Sequence, residues 1–276
     1  MEKLDWIKHF PYREEYLQAF FEKVEKIKTE KGNAPSFEDF RSADILHPGD
    51  HDGVDKFFAD YQIKPHAFVL EVGCGLGGTS RHLHYTYGVN IFGIDYVEGL
   101  VRGSIYLNNL LKAPIQHVQG DACTYPYEAA AFDVAIAIGV FMHIDSDEGI
   151  LNTCRALKSG GLLYIEDYYF VKSRQEFTEE DQSYVTIRHM YGVRTKQEMQ
   201  GILARAGMEV LELSEFGEAW SVPAWQRADR FLRDHRASRI HTTDKELYQY
   251  TQVSTLHGCD LQSWDIERVR LILHKK

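Results

Sequence analysis

The residues with the clearest chemical potential are Glu71-Val72-Gly73-Cys74-Gly75-Leu76-Gly77-Gly78. A carboxylate and four glycines stand within eight residues, directly after the apolar run Ala67-Phe68-Val69-Leu70 and directly before a segment of helical character. Glycine reaches positive φ without steric cost and lets the backbone come close to a ligand. A helix that opens at Gly78 turns its unpaired N–H groups toward a carboxylate. A tight turn without a ligand, or a dinucleotide-binding turn, would use similar glycines. Three further groups narrow the choice. Asp95 ends the segment Phe92-Gly93-Ile94-Asp95 about twenty residues after the turn, where an acidic group can accept from both ribose hydroxyls. Gly120-Asp121-Ala122 follows the next apolar segment, and an Asp there can accept from an adenine amine. Ala137-Ile138-Gly139-Val140 closes the fourth. Each group falls at the carboxyl end of an expected strand, where ligands bind in open α/β sheets.

These positions need elements to hold them. Residues 12–31 carry Tyr16, Ala19, Phe20, Val24 and Ile27 at helical spacing with a charged opposite face, which predicts an amphipathic helix ended by Gly32-Asn33. Residues 35–53 read as a polar connection with a turn at Pro48-Gly49-Asp50. From residue 66 short apolar runs alternate with helical patterns. Strands are expected at 66–72, 89–95, 115–121, 132–139, 161–170, 207–216 and 267–276, and helices at 78–87, 97–112, 147–158 and 175–206. Alternation of this kind gives βαβ units. The expected fold is α/β, a doubly wound, seven-stranded, mostly parallel Rossmann-like sheet. An N-terminal helical segment (residues 1–54) precedes a main domain (residues 55–276) with lid elements around 171–200 and 217–264. The second lid, a helical insertion before the last strand, carries Trp220, Trp225, Arg227 and Tyr248.

Composition excludes several classes of function. A chain of 276 residues, 44% hydrophobic, can bury the core of one large α/β domain. The formal net charge of −10, with no long run of Lys or Arg, argues against a nucleic-acid surface. The first ten residues contain no apolar core of a signal peptide, and no apolar stretch is long enough to span a bilayer. Cys74, Cys123, Cys154 and Cys259 are scattered, so neither a disulfide framework nor a zinc site is expected. His82 and His84 fall on different faces of one helix, and no metal is expected. A cytoplasmic location follows as the expectation.

Glu71-Val72-Gly73-Cys74-Gly75-Leu76-Gly77-Gly78, then Ile94-Asp95, then Gly120-Asp121-Ala122, then the Phe132–Gly139 strand, together resemble the class I S-adenosylmethionine-dependent methyltransferase family over residues 55–215 and the last strand. The resemblance implies an antiparallel final strand and S-adenosyl-L-methionine as cofactor. It implies that Glu71, Gly73, Gly75 and Gly77 line the methionine end, that Asp95 and Tyr96 contact ribose and adenosine, that Asp121 and Ala122 contact adenine, and that Gly139 closes the fourth-strand side. Glu71 stands where many members carry Asp.

Val140-Phe141-Met142-His143-Ile144 resembles the segment after strand four in phosphoethanolamine and glycine/sarcosine/dimethylglycine methyltransferases. The resemblance makes His143 the catalytic candidate, either as proton acceptor or as a ring packed beneath the cofactor. It makes Tyr168, Arg188 and Tyr191 substrate-binding candidates, the latter two where the phosphobase enzymes bind phosphate. Trp220 joins Tyr168, Tyr169 and Trp225 as an aromatic wall for a methylated ammonium or as lid core. Gly139 replaces the Asp of those enzymes, and Asp44-Ile45-Leu46-His47-Pro48 stands in place of their N-terminal Tyr. The expected activity is methyl transfer to a small molecule, foremost N-methylation of a small amine by in-line attack. An oxygen or carbon acceptor, and a non-catalytic cofactor-binding protein, are the alternatives.

Overall fold

A computed structural model describes residues 14–32, 35–44, 51–215 and 266–276. Its central strand is β1 (Phe68–Val72), buried at every residue after Phe68. It pairs in parallel with β2 (Asn90–Asp95) on one side and β4 (Phe132–Ile138) on the other. Layers cover both faces of a parallel sheet, so β1 and β4 are almost entirely apolar rather than alternating. β3 (Gln116–Gln119) extends the sheet beyond β2, and β5 (Leu157–Phe170) extends it beyond β4. β8 (Ile266–Lys275) inserts antiparallel between β5 and β7 (Met208–Glu215), giving the order β3-β2-β1-β4-β5-β8-β7. A two-residue strand, β6 (Arg194–Thr195), pairs with the end of β5 off this path. The strand order reverses between β1 and β4. Connections leave to opposite sides there, and a crevice opens beyond the carboxyl ends.

Helix α4 (Gly78–Tyr87) leads from β1 to β2, α5 (Glu98–Leu111) from β2 to β3, and α6 (Glu148–Ala156) from β4 to β5. The N-terminal helix α1 (Glu14–Lys31) lays Leu17, Phe20 and Val24 against Leu100 and Leu107 of α5, and Leu76 of the glycine turn enters the same cluster. Two glycines of α5 permit this approach. A Cβ on Gly99 would stand 2.2 Å from Leu17, and one on Gly103 would stand 2.7 Å from Leu76. The turn is thereby packed into the core that the N-terminal helix helps to build.

Two stretches differ from the sequence expectation. Residues 35–53 are not a plain polar connection. Ser36 and Asp39 close a capping box that starts a 3₁₀ turn (Phe37–Phe40), which runs into α2 (Arg41–Asp44). Helix α3 (Asp52–Asp60) follows, with Val54, Phe57 and Phe58 buried on the sheet, so the expected border at 54/55 falls inside a helix. The continuous helix expected over 175–206 is instead two, α7 (Glu179–Arg188) and α8 (Lys196–Arg205). Thr178 with Asp181, and Thr195 with Glu198, each form a capping box that sets a separate start. His189 ends α7 in the left-handed region at φ +54°. The insertion at 217–264, with Trp220, Trp225, Arg227 and Tyr248, lies outside the described residues. Among the described residues no helix is long and apolar enough to cross a membrane.

Candidate active site

The glycine turn leaves β1 in the left-handed region: φ is +71° at Gly73, +52° at Gly75 and +79° at Gly77. The N–H groups of Gly73 and Cys74 donate to the Ile94 carbonyl at 2.7 and 3.0 Å, which binds the turn to the end of β2. Space forbids a side chain here as firmly as the dihedrals do. A Cβ on Gly73 would stand 2.3 Å from Val140, and one on Gly77 would stand 2.6 Å from His117. Across the crevice, Gly139 adopts φ +65° with nothing within 4 Å of where its Cβ would be, and its N–H donates to the Glu166 carbonyl at 2.7 Å.

Parallel register brings the acidic candidates to one edge. Val72 pairs with Ile94 and Ala137, and Asp95 pairs with Gln119. The Gly75 N–H donates to one carboxylate oxygen of Asp95 at 2.8 Å and the Val97 N–H donates to the other at 2.9 Å. Burial pushes the Asp95 carboxyl above its ordinary range, against the pull of the Val97, Gly75 and Tyr96 amides. Tyr96 beside it is 40% exposed. The Cys123 N–H donates to Asp121 at 2.9 Å, and Asn152 holds that loop by donating to the Ala122 and Tyr125 carbonyls. Glu71 is buried at the end of β1 and accepts from the Ser80 hydroxyl. Burial pushes its carboxyl up to about 7, opposed by the Ser80 bond and by Arg81. This donor and acceptor set suits a nucleoside with an amino-acid tail. Asp95 can take a diol, the Asp121–Ala122 loop can border a base, and the glycine turn with Glu71 can hold a charged end.

His143, in a 3₁₀ turn (Phe141–His143), donates from Nδ1 to the His189 carbonyl at 2.8 Å. That bond leaves Nε2 of the neutral ring as the lone-pair nitrogen. Burial pushes the ring down to about 4, with the His189 carbonyl opposing. Asp167, 2% exposed, accepts from the Tyr168 and Met142 N–H groups at 3.0 and 3.1 Å. Burial raises its carboxyl to about 7 against those two bonds. Tyr168 is buried and its hydroxyl accepts from Arg268 at 3.1 Å; Arg268 and Arg270 also pair with Glu166. Tyr168 and Tyr191 share an apolar cluster with Met142. Tyr191 further borders a cavity of about 330 Å³ with Arg174, Asp147, Arg194 and Arg205. Asp147 there is paired with Arg194 and Arg205, and among the described residues no metal-binding group of three forms. Arg188 closes α7 with its side chain outside the described residues, as is Trp220.

Sequence reasoning missed the layer behind the turn, made of Asp44, Arg81, Asn108 and His117. Arg81 is 1% exposed and pairs with Asp44 at 2.8 Å. No local pattern marks His117 within the Gln116–Gln119 strand. Only pairing of β3 with β2 carries it beneath Gly77.

Residues 70–165 match the family model described as a methyltransferase domain. The chain has the fold of the class I methyltransferases. A sterol 24-C-methyltransferase of Gibberella zeae is 35% identical over 109 residues, 38% of this chain and 29% of that protein. Phosphoethanolamine N-methyltransferase 1 of Zea mays is 27% identical over 178 residues, 64% of this chain and 33% of that protein. The chain thus spans about a third of the length of these curated relatives. Among solved structures, Haemonchus contortus phosphoethanolamine N-methyltransferase 2 in complex with S-adenosyl-L-methionine aligns with a TM-score of 0.77 at 19% identity, over 98% of this chain and 59% of that one. Geranyl diphosphate C-methyltransferase from Streptomyces coelicolor A3(2) aligns at 0.64 and 12% identity, over 82% of this chain and 80% of that one. These likenesses confirm the expected methyltransferase fold, including its antiparallel last strand.

Proposed function

We propose that the chain binds S-adenosylmethionine and transfers its methyl group to a small molecule, with a small amine as acceptor. The observation that carries the cofactor reading is Asp95. Its two oxygens are held by the amides of Gly75 after β1 and Val97 after β2, beside a turn that only glycine can form. The matching methyltransferase domain supports the same reading. Adenosylmethionine supplies a methyl group already activated on a sulfonium, so the chain's residues need to align the acceptor and exclude water rather than generate a strong nucleophile. Glu71, Gly73, Gly75 and Gly77 serve the amino-acid end, Asp95 and Tyr96 the ribose, Asp121 and Ala122 the adenine, and Gly139 leaves room beside β4. The amine reading rests on His143. With Nδ1–H committed to His189, its Nε2 acts as a neutral acceptor that can orient an amine N–H and leave the nitrogen lone pair for in-line attack. The product ammonium then loses its proton to solvent. Tyr168, Tyr191, Arg188 and Trp220 are proposed to border the acceptor.

Methyl-labelled adenosylmethionine, offered with a panel of small amines, a sterol and a prenyl diphosphate, tests this reading. Label in an amine product is expected. Label only in the sterol or prenyl carbon would replace the amine by a carbon acceptor, as the sterol relatives favour. Binding without transfer to any acceptor would leave a non-catalytic nucleoside-binding protein.

A further inference from the structure

We propose that Asp44, Arg81, Asn108, His117 and Ser80 form a positioning relay that orients the Glu71 carboxylate, so that the grip on the amino-acid end of the nucleoside depends on docking of the N-terminal segment. The proposal rests on the adenosylmethionine reading above.

The relay has one direction of donation at each step. Arg81 donates from Nε and Nη2 to one Asp44 oxygen at 3.2 and 2.8 Å, and from Nη1 to the Asn108 amide oxygen at 2.8 Å. With its oxygen so occupied, Asn108 turns its NH₂ toward the Ile115 carbonyl at 3.3 Å and His117 Nδ1 at 3.1 Å. An imidazole that accepts at Nδ1 carries its proton at Nε2. His117 Nε2 lies 2.8 Å from the Ser80 oxygen and donates to it, which commits the Ser80 hydroxyl hydrogen to Glu71. The Ser104 hydroxyl, 2.9 Å from His117 Nδ1 and 2.8 Å from the Val101 carbonyl, can turn its one hydrogen to Nδ1 as this tautomer requires. Burial pushes His117 down to about 3, so the ring holds a single proton across the ordinary pH range.

The backbone makes room for this arrangement. A Cβ on Gly77 or Gly93 would stand 2.6 or 2.4 Å from the His117 ring, so two glycines open the slot in which it lies. A Cβ on Gly78 would stand 2.7 Å from the Asp44 carbonyl oxygen, so the end of α2 rests on the glycine turn itself. Arg81 also donates to the Leu76 carbonyl, which ties the turn to the same guanidinium. Such a buried network is strongly coupled, and disturbing one end is felt at the other.

Two nucleosides separate the relay from general packing. S-adenosylhomocysteine carries the amino-acid end, whereas 5′-methylthioadenosine keeps the adenosine and sulfur and lacks it. Binding of both to the full chain is measured by titration calorimetry. Asp44→Asn is expected to weaken S-adenosylhomocysteine about 10-fold and 5′-methylthioadenosine less than about 2-fold. Ser80→Ala cuts the last link while leaving the buried Asp44–Arg81 pair intact and is expected to show the same selectivity, so it decides the matter if Asp44→Asn does not fold. Asp44→Asn combined with Glu71→Gln is expected to bind S-adenosylhomocysteine no more weakly than Glu71→Gln alone. Equal losses on both nucleosides, no loss on either, or additive losses in the double variant would overturn the relay. A wild-type chain that binds neither nucleoside would overturn the adenosylmethionine reading and remove the relay's role with it.

Discussion

On the cofactor side, Asp95 is held by amides 20 and 2 residues away. On the acceptor side, His143 is held by a carbonyl 46 residues away, and Tyr168 by an arginine 100 residues away. The first region is built by one βαβ unit and its glycine turn. The second exists only when β5, β8 and the segment after α7 have assembled. Local construction makes the cofactor side rigid by backbone geometry, where a substitution meets steric refusal. Long-range construction makes the acceptor side a matter of buried polar side chains, where a substitution shifts charge and orientation.

The comparison breaks most sharply at Gly73. Gly73→Val adds a β-branched side chain at φ +71° and 2.3 Å from Val140. Calorimetry should show adenosylmethionine binding weakened by up to about 100-fold, since strain of this kind costs up to about 3 kcal/mol. A smaller effect is expected at His143. His143→Phe should lower kcat by roughly 10- to 100-fold, less than the roughly 100- to 10,000-fold typical of a group that transfers a proton, because the ring only orients the acceptor. His143→Asn should retain more activity, because its amide N–H can still donate to the His189 carbonyl. With the ring neutral above about pH 4, the wild-type kcat should not change through titration of His143 between pH 6 and 9; a kinetic step assigned to this ring would contradict the orienting role.

Asp167 sharpens the comparison through stability. Its carboxyl is raised to about 7 when folded, so the folded state holds a proton that the unfolded chain releases near pH 4. The stability this contributes is fully present below the unfolded value and is lost as pH rises through 7. Asp167→Asn should therefore flatten the fall in Tm between pH 5 and pH 8. The difference from wild type at the upper end is bounded at roughly 4 kcal/mol, or about 2–4 °C per kcal/mol for a chain of this size. The smallest effect is expected at Tyr169, whose hydroxyl is buried without a hydrogen-bond partner among the described residues. Tyr169→Phe should change the stability by less than about 0.5 kcal/mol or raise it, because no bond is lost and a buried polar atom is removed.

Legibility in the sequence followed the same division. The glycine turn, Asp95 and the alternation of strands and helices could be read because each depends on residues close in the chain or on a period of apolar positions. The helices at 37–44 and 52–60 were hidden because their few apolar residues, Phe40, Val54, Phe57 and Phe58, lie among charged ones. The break between α7 and α8 was hidden because capping by Thr195 and Glu198 competes with an otherwise helical pattern. The place of Tyr168 at the end of β5 could be read as well. Its Arg268 partner could not, because only the antiparallel insertion of β8 brings that residue alongside.

By itself the sequence determined that this is an α/β chain with a glycine turn and an ordered set of acids at strand ends. Those features are written in backbone permissiveness and apolar periodicity, which act over a few residues. Tertiary structure alone decided that His117 lies under Gly77, that Arg81 joins Asp44 to the turn, and that Asp167 is buried with the Met142 and Tyr168 amides as its donors. These are matters of burial and of polar partners far apart in the chain, and a hydrogen bond across such a distance leaves no period in the sequence from which it could be read.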